Sequence, residues 1–138
     1  MHLTLYSDYS LRVMLYLAIK PEGATISEIA DRYDISRNHL VRIAHDLGKK
    51  GWIATERGRG GGLKLEKNPA DINLGVVIRD VEPSFNLVEC FDMETNTCVI
   101  APSCFLKKVL QDATRAFLAE LDKYTLADLV KNKKVLLK

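Results

Sequence analysis

The chain has 138 residues, 47% of them hydrophobic and 28% charged, with a formal net charge of +2. That length suits one domain, or one small domain with an extension. The longest apolar run, Val13 to Ile19, falls far short of the roughly twenty residues that span a bilayer. The N-terminus also lacks a basic region followed by a cleavable apolar segment. A membrane-spanning chain is therefore excluded, and a cytoplasmic location is expected.

The charge is unevenly placed. Residues 35–64 hold seven basic side chains against two acidic ones, whereas residues 68–138 hold nine against ten. A positive field confined to one segment fits a nucleic-acid footprint, and equally a solvated helix face.

In chain order, Ser7 and Asp8 can cap a first helix running to about Lys20. Leu11, Met14, Leu15 and Ala18 line its apolar face, and Pro21-Glu22-Gly23 breaks it. Thr25-Ile-Ser-Glu28 has the form of a capping box and opens a short helix carrying Ile26, Ile29, Ala30 and Tyr33. Asp34 and Ile35 make a tight turn. Ser36 can cap a third helix to about Gly51, with Leu40, Ile43, Ala44 and Leu47 buried. The other face carries Arg37, Asn38, Val41, Arg42, Asp46 and Lys49. Two short helices across so short a turn predict a helix-turn-helix.

Trp52 to Thr55 suits a strand, and Leu63-Lys64-Leu65 alternates as a second. Between them lies the basic, glycine-rich tip Arg57-Gly-Arg-Gly-Gly-Gly62. A hairpin directly after a helix-turn-helix is a winged helix. The glycines match a dinucleotide-binding fingerprint only loosely, and a strand follows where that motif needs a helix. Pro69-Ala70-Asp71 predicts a turn, Leu74 to Glu82 a short helix, and Pro83 its stop. From Ser103 to Lys123 a long helix is expected, with Leu106, Leu110, Ala113, Phe117 and Leu121 as a stripe that can bury against the domain or against a second copy. Tyr124 to Val130 predicts one more helical turn, and the tail with Lys131, Lys133, Lys134 and Lys138 is expected to fray.

All three cysteines, Cys90, Cys98 and Cys104, fall in fifteen residues with spacing C-x7-C-x5-C. Three soft thiols on one loop suit a metal or iron–sulfur site. The competing accounts are three unrelated buried thiols and a disulfide, the latter opposed by the odd count. Iron–sulfur and structural zinc sites usually take four ligands. The fourth must then be a histidine, a carboxylate, a small molecule or a group from another subunit. The three histidines, His2, His39 and His45, all lie in the first third of the chain.

With these residues in view, the chain resembles the Rrf-two-type family of bacterial winged-helix regulators. The likeness is carried by LTLYSDYSLRVMLYLA, ISRNHLVRI, RGRGGGLKL, the three cysteines and LDKYTLADLV. The resemblance implies an iron–sulfur cluster held by Cys90, Cys98 and Cys104. A branch of the family with a two-iron cluster has a histidine three residues after the third cysteine, where this chain has Lys107. The nitric-oxide-sensing branch implies a 4Fe-4S cluster, with 2Fe-2S as the alternative, and a fourth ligand near the start of the first helix of the other subunit. Asp8 of the partner subunit takes that position. The seven-residue gap from Cys90 to Cys98 exceeds the five of some relatives and bears on the loop's shape.

These readings converge on a mainly α fold with a small β-hairpin. A winged helix-turn-helix occupies residues 1–82, a cysteine loop 83–102, and a dimerisation helix with its tail 103–138. The expected function is a homodimeric repressor bound to double-stranded, palindromic DNA and answering nitric oxide. Arg37 and Arg42 would read guanine and Asn38 adenine in the major groove. His39 would pack or touch phosphate, Lys49 and Lys50 would contact phosphate along with N–H groups at the Ser36 helix start, and Arg57 and Arg59 would enter the minor groove. The alternatives are a zinc or thiol redox switch without a cluster and a cysteine-dependent enzyme. The enzyme lacks a base near the loop in sequence.

Overall fold

The computed structural model describes residues 2–58 and 61–131. Helix α1 (Leu5–Ile19) begins earlier than Ser7 and Asp8 suggest. Its N-cap is Thr4, whose hydroxyl accepts the Ser7 N–H at 3.2 Å. Thr4 prevails because a distant partner also holds it. Glu82 accepts its backbone N–H at 2.9 Å and its hydroxyl at 3.1 Å, across 78 residues of sequence. Ser7 is fully buried inside the first turn.

Helix α2 (Ile26–Tyr33) opens with the expected capping box of Thr25 and Glu28. It ends at Asp34, in left-handed backbone with φ 52°, a conformation that the short Asp side chain tolerates. Helix α3 (Arg37–Lys49) follows at once. Ser36 occupies its N-cap position but makes no side-chain capping bond, contrary to expectation. The hairpin consists of β1 (Ile53–Glu56) and β2 (Gly62–Leu65), antiparallel with Ile53 opposite Leu65. Ala24 adds a one-residue bridge to it, exchanging both backbone bonds with Leu63 at 3.0 and 2.7 Å.

A 3-10 turn at Pro69–Asp71 leads to α4 (Leu74–Val81). Helix α1 lies at the centre, packed against α3, β2, α4 and the short C-terminal helix α6 (Leu126–Leu129). The core gathers Met14 and Leu17 of α1, Ile29 of α2, Leu40 and Leu47 of α3, Val77 of α4 and Leu126 of α6. The capping box of α6, Thr125 with Asp128, makes the single expected turn. Lys131 pairs with Asp128 at 2.6 Å, and the other tail lysines lie outside the described residues.

Helix α5 (Phe105–Leu121) is shorter at both ends than Ser103 to Lys123. Pro102 sits in a separate 3-10 turn, Ala101–Ser103. At the far end, Asp122 is drawn into the junction with α4. Its backbone carbonyl accepts Asn73 Nδ2 at 2.7 Å, and its carboxylate takes Arg79 in two bonds of 2.5 and 2.8 Å. Gly75 makes this approach possible, since a Cβ there would lie 1.9 Å from Asp122 Oδ1. None of the residues of α5 is buried.

Candidate nucleic-acid interface and cysteine loop

The buried face of α3 is the expected one, Leu40, Ile43, Ala44 and Leu47. That fixes what its other side presents. Arg37, Asn38, His39, Arg42 and Lys49 are all exposed, as is Ser36 before them. Arg37 stands 3.8 Å from Asp31, a loose pair with both partners mostly in solvent, and such pairs hold a side chain weakly. The His39 ring lies 6.4 Å from that of Tyr9 on α1. His39 and Arg42 also edge a cleft of about 260 Å³ between α1 and α3, walled by Tyr6, Tyr9 and Asp46. Burial pushes the Tyr6 hydroxyl pKa up, with Asp46 adding to the shift.

Lys50 departs from expectation. Its Nζ donates to the Asp80 carbonyl at 2.8 Å and to Asp80 Oδ1 at 3.0 Å, while Trp52 Nε1 donates to Asp80 Oδ2 at 2.6 Å. Burial raises the Asp80 pKa, but these Trp52 and Lys50 bonds outweigh it and hold the carboxyl below its usual range. Lys50 thus fastens the end of α3 to α4, a bond that a phosphate would have to displace. Three further residues of α3 are exposed and had no role assigned, Val41, His45 and Gly48. Their helical positions carried the signal.

At the hairpin tip Arg57 is exposed, and Gly58 takes φ 104°. Gly61 is crowded by backbone, with a Cβ there 2.4 Å from the Glu56 carbonyl. Only glycine closes so tight a tip. Arg59 and Gly60 lie outside the described residues.

The cysteine segment is built differently. Cys90 is buried in a 3-10 turn, Glu89–Phe91, and Cys98 and Cys104 are half-buried. All three are free thiols, so no disulfide competes for them. Local bonds shape the loop: Asp92 Oδ1 accepts the Glu94 N–H at 3.0 Å, and Asn96 Oδ1 accepts the Cys98 N–H at 3.1 Å. Among the described residues, no three His, Cys, Asp or Glu side chains stand together closely enough to hold a metal ion. The donors fit a soft metal or an iron–sulfur cluster by kind and are one short of the usual four, and the loop does not hold them gathered.

Asp8 lies in the first turn of α1. Arg12 grips its carboxylate through Nε at 3.1 Å and Nη2 at 2.8 Å. The same guanidinium lies 5.7 Å from the Tyr9 ring centre and 5.9 Å from that of Tyr33. Around the loop, large apolar side chains are exposed in unusual concentration: Met93, Val99 (92% exposed), Ile100, Phe105 (75%), Leu106 (63%) and Val109.

Comparison with known proteins matches these features over nearly the whole chain. Residues 3–132 match the family model Rrf2, described as an iron-dependent transcriptional regulator. The chain is 54% identical to the HTH-type transcriptional regulator NsrR of Bacillus subtilis (strain 168), covering all of this chain and 96% of that one. It is 50% identical to NsrR of Shouchella clausii (strain KSM-K16), covering 96% and 90%. Among solved structures, T. potens IscR aligns with a TM-score of 0.76 at 28% identity, covering 96% of this chain and 88% of that one. The oxidised form of Staphylococcus aureus CymR aligns at 0.73 and 26% identity, covering 95% and 97%. No helix among the described residues is long and apolar enough to cross a membrane. With its winged helix-turn-helix and this match from end to end, the chain belongs to the Rrf2 family: it is a DNA-binding transcriptional regulator and not an enzyme.

Proposed function

We propose that the chain is a homodimeric repressor whose grip on a palindromic operator is set by an iron–sulfur cluster and released by nitric oxide. One observation carries the reading: α1 touches both machines. At its start Thr4 is held by Glu82, which caps the end of α4 where the segment leading to the cysteines begins. Along its length it packs on α3, the helix that presents Arg37, Asn38 and Arg42. A change at the cysteine loop can reach the reading helix through a single rigid element.

Cys90, Cys98 and Cys104 would hold the cluster, 4Fe-4S in the preferred form and 2Fe-2S in the alternative, with Asp8 of the partner subunit as fourth ligand. Bound there, the cluster supplies iron with which nitric oxide reacts. The remaining chemistry belongs to the chain. Asp8 already has a partner in Arg12, so its carboxylate has two alternatives, the guanidinium of its own helix or the loop across the dimer. A hard oxygen donor is the weakest of the four on a soft site and the first to return to Arg12. The exposed apolar side chains of residues 93–109 support a second copy as the surface that covers α5. Arg37, Asn38 and Arg42 would read bases, Ser36, His39 and Lys49 would position the phosphates, and Arg57 and Arg59 would enter the minor groove.

The energy required is modest, because specific and non-specific DNA affinities differ by roughly 4–10 kcal/mol. The test is anaerobic purification with iron and sulfide analysis, followed by operator binding of loaded and stripped protein, each with and without nitric oxide. Loaded protein is expected to bind more tightly and to lose that advantage with nitric oxide. Equal affinity of the loaded and stripped forms overturns the reading.

A further inference from the structure

The outer face of α3 contains one residue that its neighbours do not explain. At about 100° per residue, Val41 falls between Arg37 and Asn38, on the exposed side of α3 and beside the edge of the buried stripe of Leu40, Ile43, Ala44 and Leu47. It is 51% exposed. The exposed face around it carries Arg37, Asn38, Arg42 and His45, with Gly48 two turns on. An isolated exposed apolar residue is ordinary on a protein surface. Here it sits between Arg37 and Asn38 on the second helix of the pair, the one that a helix-turn-helix lays in the major groove. A β-branched side chain has a low helix propensity, so helix formation alone does not select it there.

We propose that Val41 is a specificity-determining residue of this regulator, seating its two methyl groups against the C5-methyl of a thymine in each half-site. The inference rests on the DNA-binding reading of α3 and adds to it a base that none of the polar residues selects. The chemistry is specific. In the major groove thymine alone offers a methyl group, and apolar side chains are its natural contact. Arg37 and Asn38, on either side of Val41, offer hydrogen bonds suited to guanine and adenine. The three side chains together therefore specify a short run of bases that includes a thymine. Val41 carries no polar group, so it contributes no salt dependence of its own.

The experiment uses the full-length protein and a duplex selected from a random-sequence pool for tight binding. Each thymine of the selected site is then replaced in turn by deoxyuridine, which removes only the methyl. Wild-type protein, Val41→Ala and Val41→Thr are titrated against each duplex. The inference expects one thymine per half-site where deoxyuridine weakens wild-type binding about fourfold, the factor equivalent to one buried methyl at about 0.8 kcal/mol. Val41→Ala should bind the thymine duplex correspondingly more weakly and be insensitive to deoxyuridine at that position. Val41→Thr, which keeps one methyl, should fall between. All three proteins should show the same salt dependence. If no deoxyuridine position affects the wild type, or if Val41→Ala loses the same factor on thymine and deoxyuridine duplexes, the inference is overturned. If no duplex is enriched and binding shows no salt dependence, it is the DNA-binding reading of α3 that fails, a result distinct from either.

Discussion

Residues 2–82 and residues 83–121 are built on different principles. In the first segment α1 through α4 and the hairpin share one core, completed by Leu126 and Val130 from the C-terminus. In the second, only Cys90 and Ala101 are buried, and α5 has no buried residue in its whole length. The first segment holds itself together by packing. The second is shaped by local turns and exposes Val99, Ile100, Phe105 and Leu106. Exposed apolar patches of that kind are where interaction surfaces are found, as the dimer proposed above requires of α5. The contrast teaches that residues 2–82 close their own core within one chain, while residues 83–121 leave their apolar side chains uncovered.

Substitutions break or sharpen that contrast. The largest effect is expected at the centre of the first segment. Leu47 is completely buried, so Leu47→Ala should cost about 2–5 kcal/mol in chemical denaturation, the range for a large-to-small change in a tight core. A loss below about 1 kcal/mol would mean that the core is less close-packed than the burial of Leu47 implies. Next comes the joint between the two segments. Glu82→Ala removes the acceptor of the Thr4 N–H and hydroxyl, a loss of about 1–3 kcal/mol for a half-buried donor left unmet. Glu82→Gln, which can still accept the N–H, should recover most of it. Should both variants denature alike, the carboxylate oxygen does not hold α1.

In the second segment the cost should shift from folding to association. Leu106→Glu places a charge on a side chain that is already exposed, so the folding of the protomer should change by no more than about 0.5 kcal/mol. Self-association measured by sedimentation should weaken at least about tenfold, or about 1.4 kcal/mol. Unchanged association would remove α5 as the dimer surface.

The parts legible in the sequence are those decided within a few residues. Thr25 and Glu28 announce a capping box because both bonds close within one turn, and the spacing of Leu40, Ile43, Ala44 and Leu47 identifies the inner face of α3 and hence the outer one. The parts that were not legible depend on distant partners. Thr4 displaces Ser7 and Asp8 as the cap because Glu82 arrives from 78 residues away. Lys50 turns from solvent to Asp80, thirty residues on, and no local pattern distinguishes it from Lys49. Residue type and spacing made Cys90, Cys98 and Cys104 candidate soft ligands. Whether the loop holds them together could not be read that way, because that depends on packing the loop itself lacks.

The smallest expected effect lies in the capping box of α2 and is a matter of pH. The Lys20 ammonium donates to Glu28 Oε1 at 2.7 Å and Thr25 N–H to Oε2 at 2.7 Å. The Lys20 bond first, then those to Thr25, bring the Glu28 pKa down to about 2 from an ordinary 4.5. A carboxyl whose pKa is lower folded than unfolded stabilises the fold above its unfolded pKa and loses that contribution as pH falls through the folded one. The window here is therefore from about pH 4.5 down to about pH 2. The side chain is 41% exposed, so solvent screening limits the effect to about 1 kcal/mol or less. Glu28→Gln keeps a capping acceptor and removes only the charge. At pH 6 the variant should melt at lower denaturant than wild type, and the two curves should converge as the pH approaches 2. A gap that stays constant across that window would mean the amide and the carboxylate differ in shape and not in charge, and the ion pair with Lys20 would then contribute nothing to holding α2 in place.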